Sequence, residues 1–156
     1  METLFFAFVF IFGTIIGSFL NVVVFRFNTG RGLGKRSFCP SCNHTLSPHE
    51  LVPIASFIFQ KGRCVKCSIP ISIAYPLTEF TTGFLFLLLF QNTPLPHTFS
   101  DFFLLAYFLT SISLLIAISS YDIRHKIIPN QLVYGFIVLS FIKVLFFPEG
   151  TLVSNV

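Results

Sequence analysis

With 156 residues, 54% hydrophobic and only 10% charged, and with 23 phenylalanines, the chain holds too much apolar side chain to hide from water in a core of its size; soluble domains carry about 25% charged residues. The net charge of +4 does not point to nucleic acid, because the cations are clustered rather than spread along a groove. Seven of ten Lys and Arg fall between Arg26 and Lys66, and Arg124 and Lys126 add two; Lys143 alone stands in an apolar run, where its stem can snorkel to an interface.

Residues 4–25 carry no charge and suffice to span about 30 Å of hydrocarbon as a helix. A cleaved signal peptide fits poorly: the start is not basic, the run is long, and no A-x-A site follows. Gly13 and Gly17 form a GxxxG step, with Ser18 and Asn21 three apart, which is the pattern of a face packed on a neighbouring helix.

Residues 26–75 change to glycines, prolines and charges, and read as a small extramembrane module. Cys39 and Cys42 form one C-x2-C pair, Cys64 and Cys67 a second, with 21 residues between the pairs. Two tight turns of this kind can aim four sulfurs at one tetrahedral ion, and four thiolates leave no position open for water. A structural zinc is therefore expected, stapling a segment poor in apolar groups. An iron–sulfur centre or metal-free thiols are the alternatives. The basic bias places this loop in the reducing cytoplasm, where disulfides are not expected. His44 and His49 are expected as loop histidines outside the site, and no internal repeat is evident.

Residues 76–90 predict a second span, with Pro76 at its start and Glu79 either a capping charge in the first turn or buried in the bundle. Residues 91–101 read as an outside loop, with Ser100 or Asp101 capping the third span, residues 102–121. The connection from Asp122 to Asn130 leads to a fourth, residues 131–147, and a tail from Pro148. Inside segments then carry nine Lys and Arg and outside segments none, which puts both termini outside. The expected fold is an all-α polytopic membrane protein of about four spans: a first helix (1–25), a cytoplasmic four-cysteine zinc module (26–75), and the remaining helices (76–156).

Asp122 stands where the third apolar run stops. A carboxylate at a helix C-terminus beside a membrane suits general acid–base work, but it also serves simply to mark the boundary and pair with Arg124 or Lys126.

Five ordered segments bear on that choice: GSFLNVVVFR (17–26), CPSC (39–42), GRCVKC (62–67), ISIAYPLTE (71–79) and DIRHKIIPN (122–130). Together they resemble the N-terminal portion of the bacterial type IV prepilin peptidases/N-methyltransferases, aspartic peptidase family A24. The resemblance implies an aspartic endopeptidase of the bacterial cytoplasmic membrane. It would cut type IV prepilin or pseudopilin leaders at the cytoplasmic face, in pilus, type II secretion or competence systems, and methylate the new N-terminus from S-adenosylmethionine. Asp122 matches the first of the family's two catalytic aspartates, with Arg124, His125 and Lys126 as nearby loop residues. No residue is assigned to S-adenosylmethionine, and no glycine-rich nucleotide loop follows a strand. The segment LVPIAS (51–56) departs from the family's N-I-P.

The family's second aspartate, in G-x-G-D, has no match in these residues. Asp101 lies one helix length, about 30 Å, from Asp122. The expectation is a peptidase truncated before its second carboxylate. The alternative is a peptidase-inactive short homologue: a zinc-stabilised scaffold, a prepilin-binding module, or a chain whose second Asp comes from self-association or a partner. A third reading is a small membrane protein whose zinc module docks a cytoplasmic partner.

Overall fold

The computed structural model describes residues 2–27, 29, 32, 34–93 and 96–146; the expected tail from Pro148 lies outside them. The described residues form helices and no strand, and divide into two compact units, Met1–Leu95 and Pro96–Val156.

In the first unit, α1 (Glu2–Arg26) runs antiparallel to α3 (Ala74–Asn92), with Phe5 edge-on to Phe90 at one end and Asn21 bonded to Tyr75 at the other. Val9, Gly13, Thr14, Gly17, Leu20, Asn21 and Val24 recur every three or four residues and form the buried seam of α1, while Leu4, Phe8, Ile11, Ile15 and Phe19 are exposed. The glycines are needed for the close approach. A Cβ on Gly13 would lie 2.7 Å from the Gly83 Cα, and one on Gly17 would lie 2.7 Å from the Glu79 Cα. The GxxxG step is thus a helix-packing seam. Buried threonines on both helices return their protons to their own helix, Thr14 to the Ile11 carbonyl (2.7 Å) and Thr82 to that of Thr78 (2.7 Å), so the seam carries hydroxyls without orphaning them.

α3 starts at Ala74, two residues before the expected start, and Pro76 sits in its first turn, where a missing N–H costs nothing. Glu79 consequently lies beyond the first turn, buried, and is not a helix cap. Between the two helices the chain makes a 3-10 turn, Pro48–Leu51, and one short helix, α2 (Ala55–Phe59).

The second unit pairs α4 (Phe99–His125) with α5 (Asn130–Phe146). Thr98, rather than Ser100 or Asp101, is the N-cap of α4: its hydroxyl accepts from the Asp101 N–H (3.3 Å) and the Asp101 carboxylate accepts from the Thr98 N–H (2.9 Å). α4 does not stop at Tyr121. Nothing between Tyr121 and His125 breaks a helix, and the chain leaves it only at Lys126, which takes the left-handed conformation (φ 53°). Asp122, Arg124 and His125 are therefore helical, and the connection is Lys126–Pro129.

Among the described residues, two helices, Thr3–Arg26 and Phe99–His125, are long and apolar enough to cross a membrane. α3 is diluted by Thr78, Glu79, Thr81 and Thr82, and the apolar part of α5, Asn130–Leu145, is shorter.

Candidate metal centre and candidate catalytic carboxylate

The two cysteine turns share one construction. In the first, the Cys39 N–H donates to the His44 carbonyl (2.9 Å), the Asn43 N–H to the Cys39 carbonyl (2.9 Å) and the Leu46 N–H to the Ser37 carbonyl (2.9 Å). In the second, Cys64 donates to Ile69 (2.9 Å), Ser68 to Cys64 (2.9 Å) and Ile71 to Gly62 (2.7 Å). Each turn is closed by an isolated bridge, Phe38 with Thr45 and Arg63 with Pro70. The residue after each second cysteine is left-handed, Asn43 at φ 54° and Ser68 at φ 56°. The module is thus an internal repeat, C-x2-C-[N/S]-x2-[L/I], which the sequence reading missed. The common signal was the small polar residue after each pair and the aliphatic three positions on.

The repeat brings the four sulfurs together, all within 4.8 Å of one another. Cys39 and Cys67 are 3.8 Å apart, Cys42 and Cys64 4.0 Å. A tetrahedron with Zn–S bonds of about 2.3 Å has edges of about 3.8 Å, which the Cys39–Cys67 and Cys42–Cys64 separations approach, so the donor set suits such an ion. A disulfide needs about 2.05 Å, and all four cysteines are free.

The electrostatics agree. The N–H groups of Cys42 and Ser41 point at the Cys39 sulfur and lower its pKa to about 7. Those of Cys67 and Lys66 lower Cys64. The Ile69 N–H acts the same way on Cys67, but burial and the sulfurs of Cys42, Cys64 and Cys39 outweigh it and push that thiol up to about 12. One or two thiolates form readily, whereas four in contact need a cation among them.

His44 and His49 are not part of this cluster. His44 Nε2 lies 3.3 Å from the Glu50 carboxylate, and His49 Nε2 lies 3.0 Å from the Ser47 hydroxyl. Glu50 also accepts from the Ser47 N–H (2.8 Å), tying the 3-10 turn together. The Ser47 hydroxyl and N–H, with His44 beside them, hold its carboxyl below the ordinary value.

Sequence reasoning did not foresee what Glu79 does. Its Oε2 accepts the Ile54 N–H at 2.7 Å, with the Ser18 hydroxyl alongside. Ile54 is held at φ 60° and ψ −51°, the centre of a γ-turn in which the Ala55 N–H donates to the Pro53 carbonyl, a conformation that costs a β-branched residue energy. The carboxylate of one helix thus fixes a strained turn of the module.

Asp122 lies exposed in the last turn of α4, and its carbonyl accepts the Lys126 N–H at 2.6 Å. One residue back, Tyr121 is buried, its ring centroid 4.4 Å from that of His125. Asp101 is spent on the N-cap at the opposite end of the same helix, about 30 Å away, and cannot pair with Asp122.

A paired-knuckle cluster of four cysteines, inserted between two closely packed apolar helices, defines a helical protein whose loop carries a metal-binding arrangement of thiols. Residues 11–93 match the bacterial peptidase A24 N-terminal domain, and the chain belongs to that family. It is 39% identical over 129 residues to a prepilin leader peptidase/N-methyltransferase of Bacillus subtilis (strain 168), covering 82% of this chain and 50% of that protein. It is 37% identical over 127 residues to one from Myxococcus xanthus (strain DK1622), covering 81% and 36%. It is 33% identical over 156 residues to one from Aeromonas salmonicida (strain A449), covering 83% and 51%. The chain thus spans about a third to a half of the length of these curated relatives. No solved structure matches it.

Proposed function

We propose that the chain carries the membrane and zinc portion of a prepilin leader peptidase, with Asp122 as one of two catalytic carboxylates. The observation that carries this reading is the joint one of family membership and a four-cysteine cluster with tetrahedral spacing. The names of the relatives supply prepilin as the substrate class and N-methylation as a second activity. In this reading Cys39, Cys42, Cys64 and Cys67 hold a structural zinc that fixes the module's shape and takes no part in bond breaking.

Four spans, α1, α3, α4 and α5, cross the bacterial cytoplasmic membrane, and the positive-charge bias sets the module (26–75) and the Lys126–Pro129 connection on the cytoplasmic side. Asp122 then reaches the leader at the membrane face. One carboxylate of the pair takes a proton from water while the other protonates the leaving amine. Since Asp101 is committed to the N-cap of α4, the second carboxylate comes from outside these residues. It is supplied by further chain or by a partner, including a second copy. The methyl donor is S-adenosylmethionine.

That same commitment of Asp101 favours a second reading: on its own the chain binds prepilin as a zinc-stabilised membrane scaffold without cutting it. Cleavage of a type IV prepilin in detergent, by this chain alone and with the C-terminal part of a relative added, separates the two. Cleavage in either arm that is abolished by Asp122→Ala supports the peptidase. Cleavage that survives Asp122→Ala removes Asp122 from the chemistry, and prepilin binding without cleavage in both arms leaves the scaffold.

A further inference from the structure

The basic cluster does more than orient the chain. Beside the first cysteine turn lies an open cavity of about 340 Å³ lined by Arg26, Lys35, Arg36, Phe38, Asn43 and Thr45. Among the described residues its wall holds three cations, two neutral hydrogen-bonding side chains and an aromatic ring, and no carboxylate. The volume sits at the low end of small-ligand sites, about 300–1,000 Å³, so it suits a single polar head rather than a peptide.

The wall is built, not merely decorated. Arg26 is buried to 6% exposure and its Nη1 donates to the Gly32 carbonyl at 2.9 Å, which fixes the guanidinium. Arg36 Nη2 reaches the Leu46 carbonyl at 3.3 Å. Asn43 and Phe38 are carried by the metal turn itself, Asn43 through its N–H bond to the Cys39 carbonyl and Phe38 through its bridge to Thr45. Two guanidiniums and an ammonium around neutral donors are the chemistry that recognises a phosphate group: the planar fork of Arg matches phosphate oxygens, and Lys adds a point charge.

We infer that this cavity binds a phosphate group, that of an anionic phospholipid headgroup. The source is argued from position. Arg26 is the last residue of α1, one of the two helices able to cross a membrane, so the cavity opens where that helix meets the headgroup layer. A lipid there would brace the module against the bilayer through the same turn that holds two of the four cysteines. The inference rests on α1 as a span and not on the peptidase chemistry.

The test uses the full chain in mixed phosphatidylcholine and phosphatidylglycerol nanodiscs, with the lipid retained after detergent extraction counted by native mass spectrometry. The wild type should retain phosphatidylglycerol over phosphatidylcholine by about tenfold. Lys35→Gln with Arg36→Gln should bring retention to parity, while Lys61→Gln with Lys66→Gln, an equal loss of charge on the other turn, should not. One metal ion per chain in both double variants shows that the module is folded. Equal loss in the two variants would mean diffuse attraction and overturn the site, as would no preference in the wild type. Displacement of the lipid by millimolar inorganic phosphate would overturn the headgroup as the source. Flotation of the chain with liposomes tests the span separately, and failure there removes the headgroup reading without touching the peptidase assay.

Discussion

The α1–α3 pair and the cysteine module are consecutive parts of one unit, yet they are held together by opposite means. The helix pair is closed by shape: glycines at 13, 17 and 83 let backbone touch backbone, and Phe86 and Thr82 are fully enclosed. The module has almost no interior. Among its described residues from Gly34 to Ile73, only Cys39, Cys64 and Glu50 are buried, while Ile58, Phe59 and Val65 are exposed. Shape can hold two helices; it cannot hold a loop of turns, and there the four sulfurs must do it. A long-range hydrogen bond joins the regions, from the Ile54 N–H to the Glu79 carboxylate (2.7 Å).

The largest effect should come from removing the metal. Structural zinc sites contribute about 10–16 kcal/mol of apparent binding free energy, and no apolar core replaces it here. Cys39→Ser or Cys67→Ser, or a strong chelator, should release one metal ion per chain and open residues 36–72 to protease, with the helical signal of α1 and α3 retained. Metal content measured by mass spectrometry alongside limited proteolysis decides it. Unchanged metal in both variants would refute the four-sulfur site, and loss of the helices with the module would show that the two regions do not stand independently.

The converse experiment strikes the helix pair and spares the module. A Cβ on Gly17 already meets the Glu79 Cα at 2.7 Å and the Thr82 hydroxyl at 2.9 Å, so Gly17→Leu must force the helices apart. Overpacking of this kind costs about 1–3 kcal/mol. Denaturant unfolding in detergent should show that loss while the metal stays bound. A variant as stable as the parent would mean that the helices do not approach as closely as their glycines allow.

Glu79→Ala tests the joint between the regions. It leaves the Ile54 N–H without its acceptor and the strained γ-turn without its restraint, a loss of about 1–3 kcal/mol. Hydrogen exchange should rise locally at residues 51–56, and Glu79→Gln, which keeps an acceptor oxygen, should recover most of the protection. If Gln exchanges as fast as Ala, the bond is not what holds the turn.

The parts of this arrangement that follow local rules were legible beforehand. The charge-free run of α1, the GxxxG seam and the cysteine spacing each express one short-range constraint, and each is where the sequence puts it. What escaped depended on partners far along the chain. Glu79 reads as either a helix cap or a buried bundle residue, and its burial against the Ile54 backbone, 25 residues earlier, is settled only by the fold. The end of α4 reads as Tyr121 because apolar character stops there, although none of Asp122, Ile123, Arg124 and His125 breaks a helix and the backbone runs on to His125. Asp122 stands out in the sequence where the third apolar run stops, and the resemblance is what bears on its chemistry; the fold adds its exposed place in the last turn of α4. The basic cavity could not be read at all, since Arg26 and Thr45 meet only after the first turn closes.

The smallest effect separates the module's one buried carboxylate from its metal. Glu50 is held below its ordinary value in the folded chain by the Ser47 hydroxyl and N–H, with His44 beside them. A depressed folded-state pKa means that the unfolded chain binds the proton first. The stabilisation is therefore complete above the unfolded glutamate value, about 4.3, and is lost as pH falls through the lower folded value. Comparing the parent with Glu50→Gln cancels the acid loss of metal common to both. The parent should be the more stable by about 1 kcal/mol near neutral pH, a hydrogen bond to a charged group being at stake, and the gap should close in strong acid. A gap independent of pH would mean that the carboxylate holds the Pro48–Leu51 turn by shape alone, as the glycines hold the helices, and the module would then contain one element that does not depend on charge.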